Sequence, residues 1–259
     1  MGESSGTLDW SVQGHVGTIT INRPEKLNTM TPAMGKELTT LTTEINESEV
    51  VRVVILTGSG SKSFSAGSDI SVLDQYGTNW QLRNRVDYAR AIWAIRKPVI
   101  SKIRGYCIGG GLEMSLMSDI RYSNEEAQFG AGEIKLGWHG GAGNTQLLPR
   151  VVGPGRALEM LLTGDLIAAD EALASKLVDK VFPDSDLDDQ VGELAERIAR
   201  SAPIAAELAK HLVRVSQSTS LDVGLSYEND TFAYCFTTAD SVEGRAAFAE
   251  KRPTNFSGN

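Results

Sequence analysis

The sequence predicts an α/β fold closed by a helical C-terminal region, and three observations predict it. Strand-like apolar runs alternate with helix-like segments through the first part of the chain, a layout of mostly parallel strands. No strand pattern remains after about residue 195, whereas residues 194–200, 204–217, 221–236 and 242–248 all show helical periodicity. Between these regimes lies an abrupt strand-to-helix turn, in which Val99 to Ile103 runs into Gly109-Gly110-Gly111 and then a helix-like stretch, Leu112 to Met117. We therefore read a strand-rich core over residues 1–195 and a helical region over residues 196–259.

The elements follow in order. Residues 15–21 alternate and read as a strand, which Asn22-Arg23-Pro24 stops. Residues 31–44 read as a helix, with Thr31 as N-cap and Pro32 at the first helical position, where its missing N–H costs nothing. Residues 50–57 form a β-branched run that suits a buried strand, and the Gly/Ser-rich residues 58–63 make a turn. Residues 71–80 are polar and irregular and read as a loop. Residues 86–95 are helical, Pro98 breaks them, and residues 99–103 give the next strand.

Composition narrows the function classes. With 259 residues and 41% hydrophobic content, the chain builds a sizeable core. A net charge of -8 argues against nucleic acid as a main partner. Two cysteines, Cys107 and Cys235, are too few for a disulfide framework or a cysteine-based metal site. The polar start, residues 1–7, lacks a signal-peptide pattern, and no run approaches a membrane span. These features read as a cytoplasmic protein with no membrane partner.

The chemistry concentrates between residues 105 and 141. The triple glycine leaves bare backbone amides at a helix start, a place that binds an anion or a developing oxyanion. Glu113 falls in the first turn of that helix, and Glu133 follows the turn Gly130-Ala131-Gly132. Amides beside a carboxylate pair suit proton chemistry next to a polarised carbonyl. Each signal alone has a plain alternative: glycines at such turns often serve close packing, and lone glutamates are usually solvated. Ser65-Ala-Gly-Ser68-Asp-Ile70 adds a small-residue stretch, in which the Ser68 amide could complete an oxyanion hole with Gly110.

Other patterns fail. Gly105 and Gly109 do not match the G-x-G-x-x-G dinucleotide fingerprint, and Ser61 stands where a P-loop needs glycine before Lys62. There is no G-x-S-x-G, and His15, His139 and His211 form no H-E-x-x-H. His139, flanked by glycines, is the histidine best placed to line a site.

Taken together, the segments resemble the crotonase (enoyl-CoA hydratase/isomerase) superfamily over nearly the whole chain. Asn22-Arg-Pro-Glu-Lys-Leu-Asn28 is similar to its N-R-P-x-x-x-N segment, and Ser65 to Ile70 to its A-G-x-D-[IL] loop. Gly105 to Ile120, Ala127 to Glu133, Leu161 to Gly164, and the tail from Glu243 to Phe256 also agree, in the family's order.

The resemblance implies a crotonase-like core of repeated ββα turns and a C-terminal helical trimerisation region. It implies a homotrimer or a homohexamer built as a dimer of trimers. The substrate would be an acyl-coenzyme A thioester, with no separate cofactor and no metal. Ser68 and Gly110 would supply the oxyanion-hole amides. Glu25, Lys26, Leu27, Ala66, Ser68, Asp69, Ile70 and Gly110 would line the coenzyme A path, and Lys251 or Arg252 would reach a phosphate from a neighbouring subunit. Glutamates at both positions 113 and 133 resemble hydratases, which implies reversible addition of water to a 2-enoyl-CoA. Glu133 would serve the α-carbon, Glu113 would activate water, and the Gly141 backbone would orient it.

The chain departs from the family pattern in places. Gly132 replaces a common proline, Ser71 replaces a common lysine, and Gly137-Trp138-His139-Gly140-Gly141-Ala142-Gly143-Asn144-Thr145 differs from the usual G-x-x-P-G-x-G-G-T. Trp138, His139 and Asn144 are the unusual members, and a non-standard acyl group or simple drift would each account for them. Substrate choice would rest on residues 73–80 and the C-terminal helices. Three readings stay open: a hydratase, another crotonase reaction on acyl-CoA such as isomerisation or thioester hydrolysis, and a binding protein without turnover.

Overall fold

The computed structural model describes residues 6–259. The opening residues 1–5, part of the polar start, lie outside the described residues.

Strand β1 (Thr7–Gln13) pairs antiparallel with β2 (Val16–Asn22). Helix α1 (Pro32–Glu47) follows, and the Thr31 hydroxyl caps it by accepting from the Met34 amide at 3.2 Å. Met34, Leu38, Leu41 and Ile45 recur on one face of α1 and are all buried, as an amphipathic helix requires.

The next stretch repeats one pattern. β3 (Val53–Gly58) and β4 (Ser63–Ser65) are followed by α2 (Asn79–Arg83) and α3 (Tyr88–Trp93). β5 (Val99–Ile103) and β6 (Tyr106–Ile108) are followed by α4 (Gly110–Met117). β7 (Ile120–Asn124) and β8 (Gln128–Gly130) are followed by α5 (Asn144–Val152) and α6 (Pro154–Thr163). In each repeat the first strand joins one sheet and the second joins another, before helix returns the chain. After β9 (Ile167–Ala168), α7 (Ala169–Ala174) and β10 (Lys180–Phe182), the sheets read β1-β2-β3-β5-β7-β10 and β4-β6-β8-β9. Every pairing is parallel except β1 with β2 and β8 with β9.

Phe64 on β4 and Phe129 on β8 sit fully buried in the main core with Leu56, Ile92 and Leu112. Burying such a side chain contributes about 1.5–3 kcal/mol. The large sheet's opposite face carries Val53, Ile55 and Ile100, covered by Leu187, Val191 and Ala195 of α8 (Asp184–Ala199).

Beyond α8 the chain is helical: α9 (Pro203–Ser216), α10 (Leu221–Phe236) and α11 (Ala239–Glu250). Charge pins α9 to the core. Lys210 and Arg214 reach Asp119 at 2.7 and 3.1 Å, Lys97 reaches Glu207 at 2.5 Å, and the Arg214 guanidinium lies 3.9 Å from the Trp93 ring centre.

One expectation changes. Residues 71–80 are not wholly irregular: a 3-10 turn spans Ile70–Gln75, and α2 begins at Asn79 with the Thr78 hydroxyl as its cap. Strand β1 had no clear sequence signal, because it lies on the sheet edge and buries only Leu8 fully.

Candidate active site

Two loops build the first half of the site. Asn28 is fully buried and ties them together: its Oδ1 accepts from the Arg23 amide, and its Nδ2 donates to the carbonyls of Ser59 and Ser63. The Ala66 amide donates to the Leu27 carbonyl at 2.9 Å, which sets the 25–27 turn against the 66–70 loop. Arg23 and Asp69 form an ion pair at 2.7 Å, and Asp69 in turn caps Ser71 through its amide and hydroxyl. The Ser71 and Arg23 donors hold the Asp69 carboxyl below its ordinary range. The expected coenzyme A path residues are thus brought together, with Glu25, Lys26 and Ile70 exposed and Leu27 and Ala66 partly buried.

Met30 then fixes the direction of the Ser68 amide. The Met30 amide donates to the Gly67 carbonyl at 2.7 Å, and the Asp69 amide donates to the Met30 carbonyl at 3.0 Å. In such a parallel bridge the intervening residue points its N–H the other way. Among the described residues, nothing accepts from the Ser68 amide.

Gly110 supplies the facing group. The Gly109 amide closes the β6–β8 pairing through the Gly130 carbonyl at 2.9 Å, and α4 starts one residue later. Its first N–H groups have no partner within the helix. The two loops touch here. Gly67 has φ +85°, and a Cβ on it would lie 2.5 Å from the Gly110 nitrogen. Only glycine at 67 permits both the backbone angle and the approach.

The carboxylates occupy the second half. Glu113 sits one turn into α4 and is buried at 3% exposure. Its Oε1 accepts from the Ala142 amide at 2.7 Å and the Asn144 amide at 3.3 Å. Burial pushes its pKa up to about 7, and the nearby Glu133 and Asp87 charges act in the same direction, against the lowering effect of the two amides. Glu133 stands in the 3-10 turn Gly132–Leu136 that follows β8, and its Oε1 accepts from Asn144 Nδ2 at 3.0 Å. One residue, Asn144, therefore holds both glutamates. Glu133 Oε2 and Asn144 Oδ1 are buried and have no partner among the described residues. Gly140 is required by proximity, since a Cβ there would meet both Glu113 Oε1 and Asn144 Cβ at 2.8 Å.

The loop that follows lies on the rim. Gly141 is exposed, with its carbonyl facing Arg85 at 3.4 Å, and the next amide, that of Ala142, is the one that donates to Glu113. His139 and Trp138 are exposed, and His139 Nδ1 lies 2.7 Å from the Gly140 carbonyl rather than on a carboxylate. Arg252 is engaged by Glu243 at 2.6 and 2.9 Å and by Glu250 at 2.6 Å.

Three residues had escaped attention or lacked a role. Tyr88 places its hydroxyl 2.9 Å from Ser68 Oγ and 2.0 Å from where a Gly110 Cβ would stand, and burial raises its pKa strongly. Arg85 flanks the loop at Gly141. Asn144 was noted only as a departure from a pattern. None of the three carries a spacing signal, because each meets the site through tertiary contact alone.

The arrangement offers two outward amides for a carbonyl oxygen, a carboxyl that titrates near neutrality, and a second carboxyl with a free oxygen. It suits proton transfer beside a carbonyl.

Residues 11–259 match the family model described as enoyl-CoA hydratase/isomerase. The chain is 39% identical to the short-chain-enoyl-CoA hydratase of Clostridium acetobutylicum, with 93% of each chain covered. It is 38% identical to the crotonyl-CoA hydratase of Syntrophomonas wolfei, with 91% of this chain and 92% of that one covered. The crystal structure of enoyl-CoA hydratase from Bacillus anthracis superimposes with a TM-score of 0.90 at 37% identity, covering 99% of this chain and 100% of that one.

Proposed function

The chain belongs to the enoyl-CoA hydratase/isomerase family and is an enoyl-CoA hydratase, a hydro-lyase; from that premise we propose how its residues divide the work and which acyl groups it takes. The thioester oxygen of a 2-enoyl-CoA accepts from the Ser68 and Gly110 amides. Charge grows on that oxygen as the β-carbon is attacked, so the two donors act mainly in the transition state. Each contributes about 3 kcal/mol, and the positive end of α4 adds to them.

One water lies between the glutamates. Glu113 takes a proton from it as its oxygen bonds to the β-carbon, and Glu133 gives a proton to the α-carbon. Both acids approach from one side, so addition is syn. Hydration needs one carboxyl protonated and the other ionised, and burial, which pushes the Glu113 pKa up to about 7, lets that carboxyl take up or release a proton near neutral pH. The observation that carries this reading is the convergence of both glutamates on Asn144, next to a loop pair with two free amides.

Short-chain substrates such as crotonyl-CoA are the proposed class, in keeping with the names of the relatives. A homotrimer or homohexamer is part of the same proposal. The apolar side chains left exposed on α9 and α10, among them Val213, Leu225, Phe232 and Phe236, support burial against further copies of the chain. No helix among the described residues is long and apolar enough to cross a membrane. A cytoplasmic location is a separate part of the proposal.

The test is loss of the enoyl-thioester absorbance when enzyme meets crotonyl-CoA, with 3-hydroxybutyryl-CoA as product. Turnover of a 3-enoyl-CoA alone would favour isomerisation, and release of free thiol would favour hydrolysis.

A further inference from the structure

The Asn144 side chain lies wholly inside the protein, at the first position of α5, and three of its contacts are informative. Its backbone amide donates to Glu113 Oε1, its Nδ2 donates to Glu133 Oε1 at 3.0 Å, and Nδ2 also faces the Gly109 carbonyl at 3.4 Å. A backbone carbonyl can only accept, so it fixes the NH2 end of the carboxamide on the Glu133 side. Glu133 Oε1 is thus an acceptor, and because a carbonyl oxygen accepts better than a carboxyl hydroxyl, a proton on Glu133 is favoured on Oε2, which is buried and has no partner among the described residues.

We infer that Asn144 is a positioning residue for the acid pair, confining the transferable proton of Glu133 to Oε2, the oxygen that faces the reacting α-carbon. The inference rests on the hydratase reading above. In hydration the Oε2–H bond breaks and a C–H bond forms at the α-carbon, while the water gives one proton to Glu113 and its hydroxyl, with the other proton, to the β-carbon. In dehydration the α-proton returns to Oε2. The Asn144 amide takes part in no bond change. It keeps the carboxyl in the one orientation that delivers the proton, and its N–H favours the ionised product of that delivery.

Other groups around the pair bear on its titration. Glu113 of α4 and Asp87 before α3 are acidic, Tyr88 of α3 is a buried neutral phenol, and Arg85 and His139 line the rim. Lys135, on the same turn as Glu133, is paired with Asp165 at 3.0 Å. None of these donates a hydrogen bond to the Glu133 carboxyl among the described residues, whereas Asn144 does.

The experiment compares the pH dependence of kcat for crotonyl-CoA hydration in the wild type, Asn144→Ala and Asn144→Gly. Glycine is the residue that the usual loop pattern carries at this position, so that variant serves if the alanine variant does not fold. Wild-type hydration confirms the underlying reading; its absence would sink that reading before the variants are considered. Loss of the Nδ2 donor disfavours the ionised Glu133. The alkaline limb, which reports loss of the proton donor, should move up by about one pH unit. Turnover at the optimum should fall at least tenfold with KM changed less than threefold. A merely structural role would lower the activity with the limb unmoved, and that result overturns the inference. So would wild-type turnover in either folded variant.

Discussion

Replacing Gly67 by alanine tests the oxyanion hole without touching a reacting side chain. The added Cβ would lie 2.5 Å from the Gly110 nitrogen and 3.0 Å from its Cα. Ordinary contact needs roughly 1 Å more, so the loop carrying Ser68 and the start of α4 must separate by about that distance. A misplacement of about 1 Å costs on the order of a hundredfold in rate, and complete loss of one donor about 10²–10³-fold. The methyl group also forces a non-glycine residue to hold φ +85°, a cost of about 1–2 kcal/mol in stability. The assay is crotonyl-CoA hydration followed by absorbance, with coenzyme A binding by calorimetry and thermal melting as controls. Interactions made only in the transition state lower kcat and kcat/KM together. The expected result is a fall of about a hundredfold in both, with coenzyme A still bound and a folded protein. A folded variant with kcat within threefold of wild type would refute the idea that these amides form the hole.

Further outcomes follow from the same geometry. Glu113→Gln and Glu133→Gln should each lower turnover by at least about a hundredfold while coenzyme A binding persists, measured by the same two assays. Burial raises the Glu113 pKa from 4.5 to about 7, so the fold gains from the protonated form and loses stability as pH rises between those values. Glu113→Gln should therefore match the wild type in chemical denaturation near pH 4 and exceed it by about 3 kcal/mol near pH 8; an advantage independent of pH would count against burial as the cause. Thr31→Ala removes the cap of α1 and should cost about 1 kcal/mol in stability with kcat unchanged. Phe232→Asp with Phe236→Asp should shift the sedimentation of the native protein from a trimer or hexamer toward a monomer.

Much of this was legible before any coordinates. Apolar runs located β2, β3, β5 and α1, because each buries a face whose period survives in the sequence. Glu113 was legible because it lies one turn past the glycines that start α4. Edge strand β1 was not, since it leaves most of its side chains toward solvent. The partner of each carboxylate was not legible either. Asn144 is 31 residues from Glu113 and 11 from Glu133, and nothing in local propensity links them. The Ala142 amide on Glu113 illustrates the same limit: the loop is readable as a loop, but nothing in its spacing pairs that N–H with that carboxylate. The Tyr88 hydroxyl reaches Ser68 from twenty residues away by the same kind of contact.

The most direct measurement is hydration of crotonyl-CoA in heavy-oxygen water, read by mass spectrometry. The account predicts one heavy oxygen in the product, at the 3-hydroxyl, and none in the acyl carbonyl, with formation abolished in either glutamine variant. Label in a released carboxylate, or a product that gains no oxygen, would contradict water addition at the two glutamates.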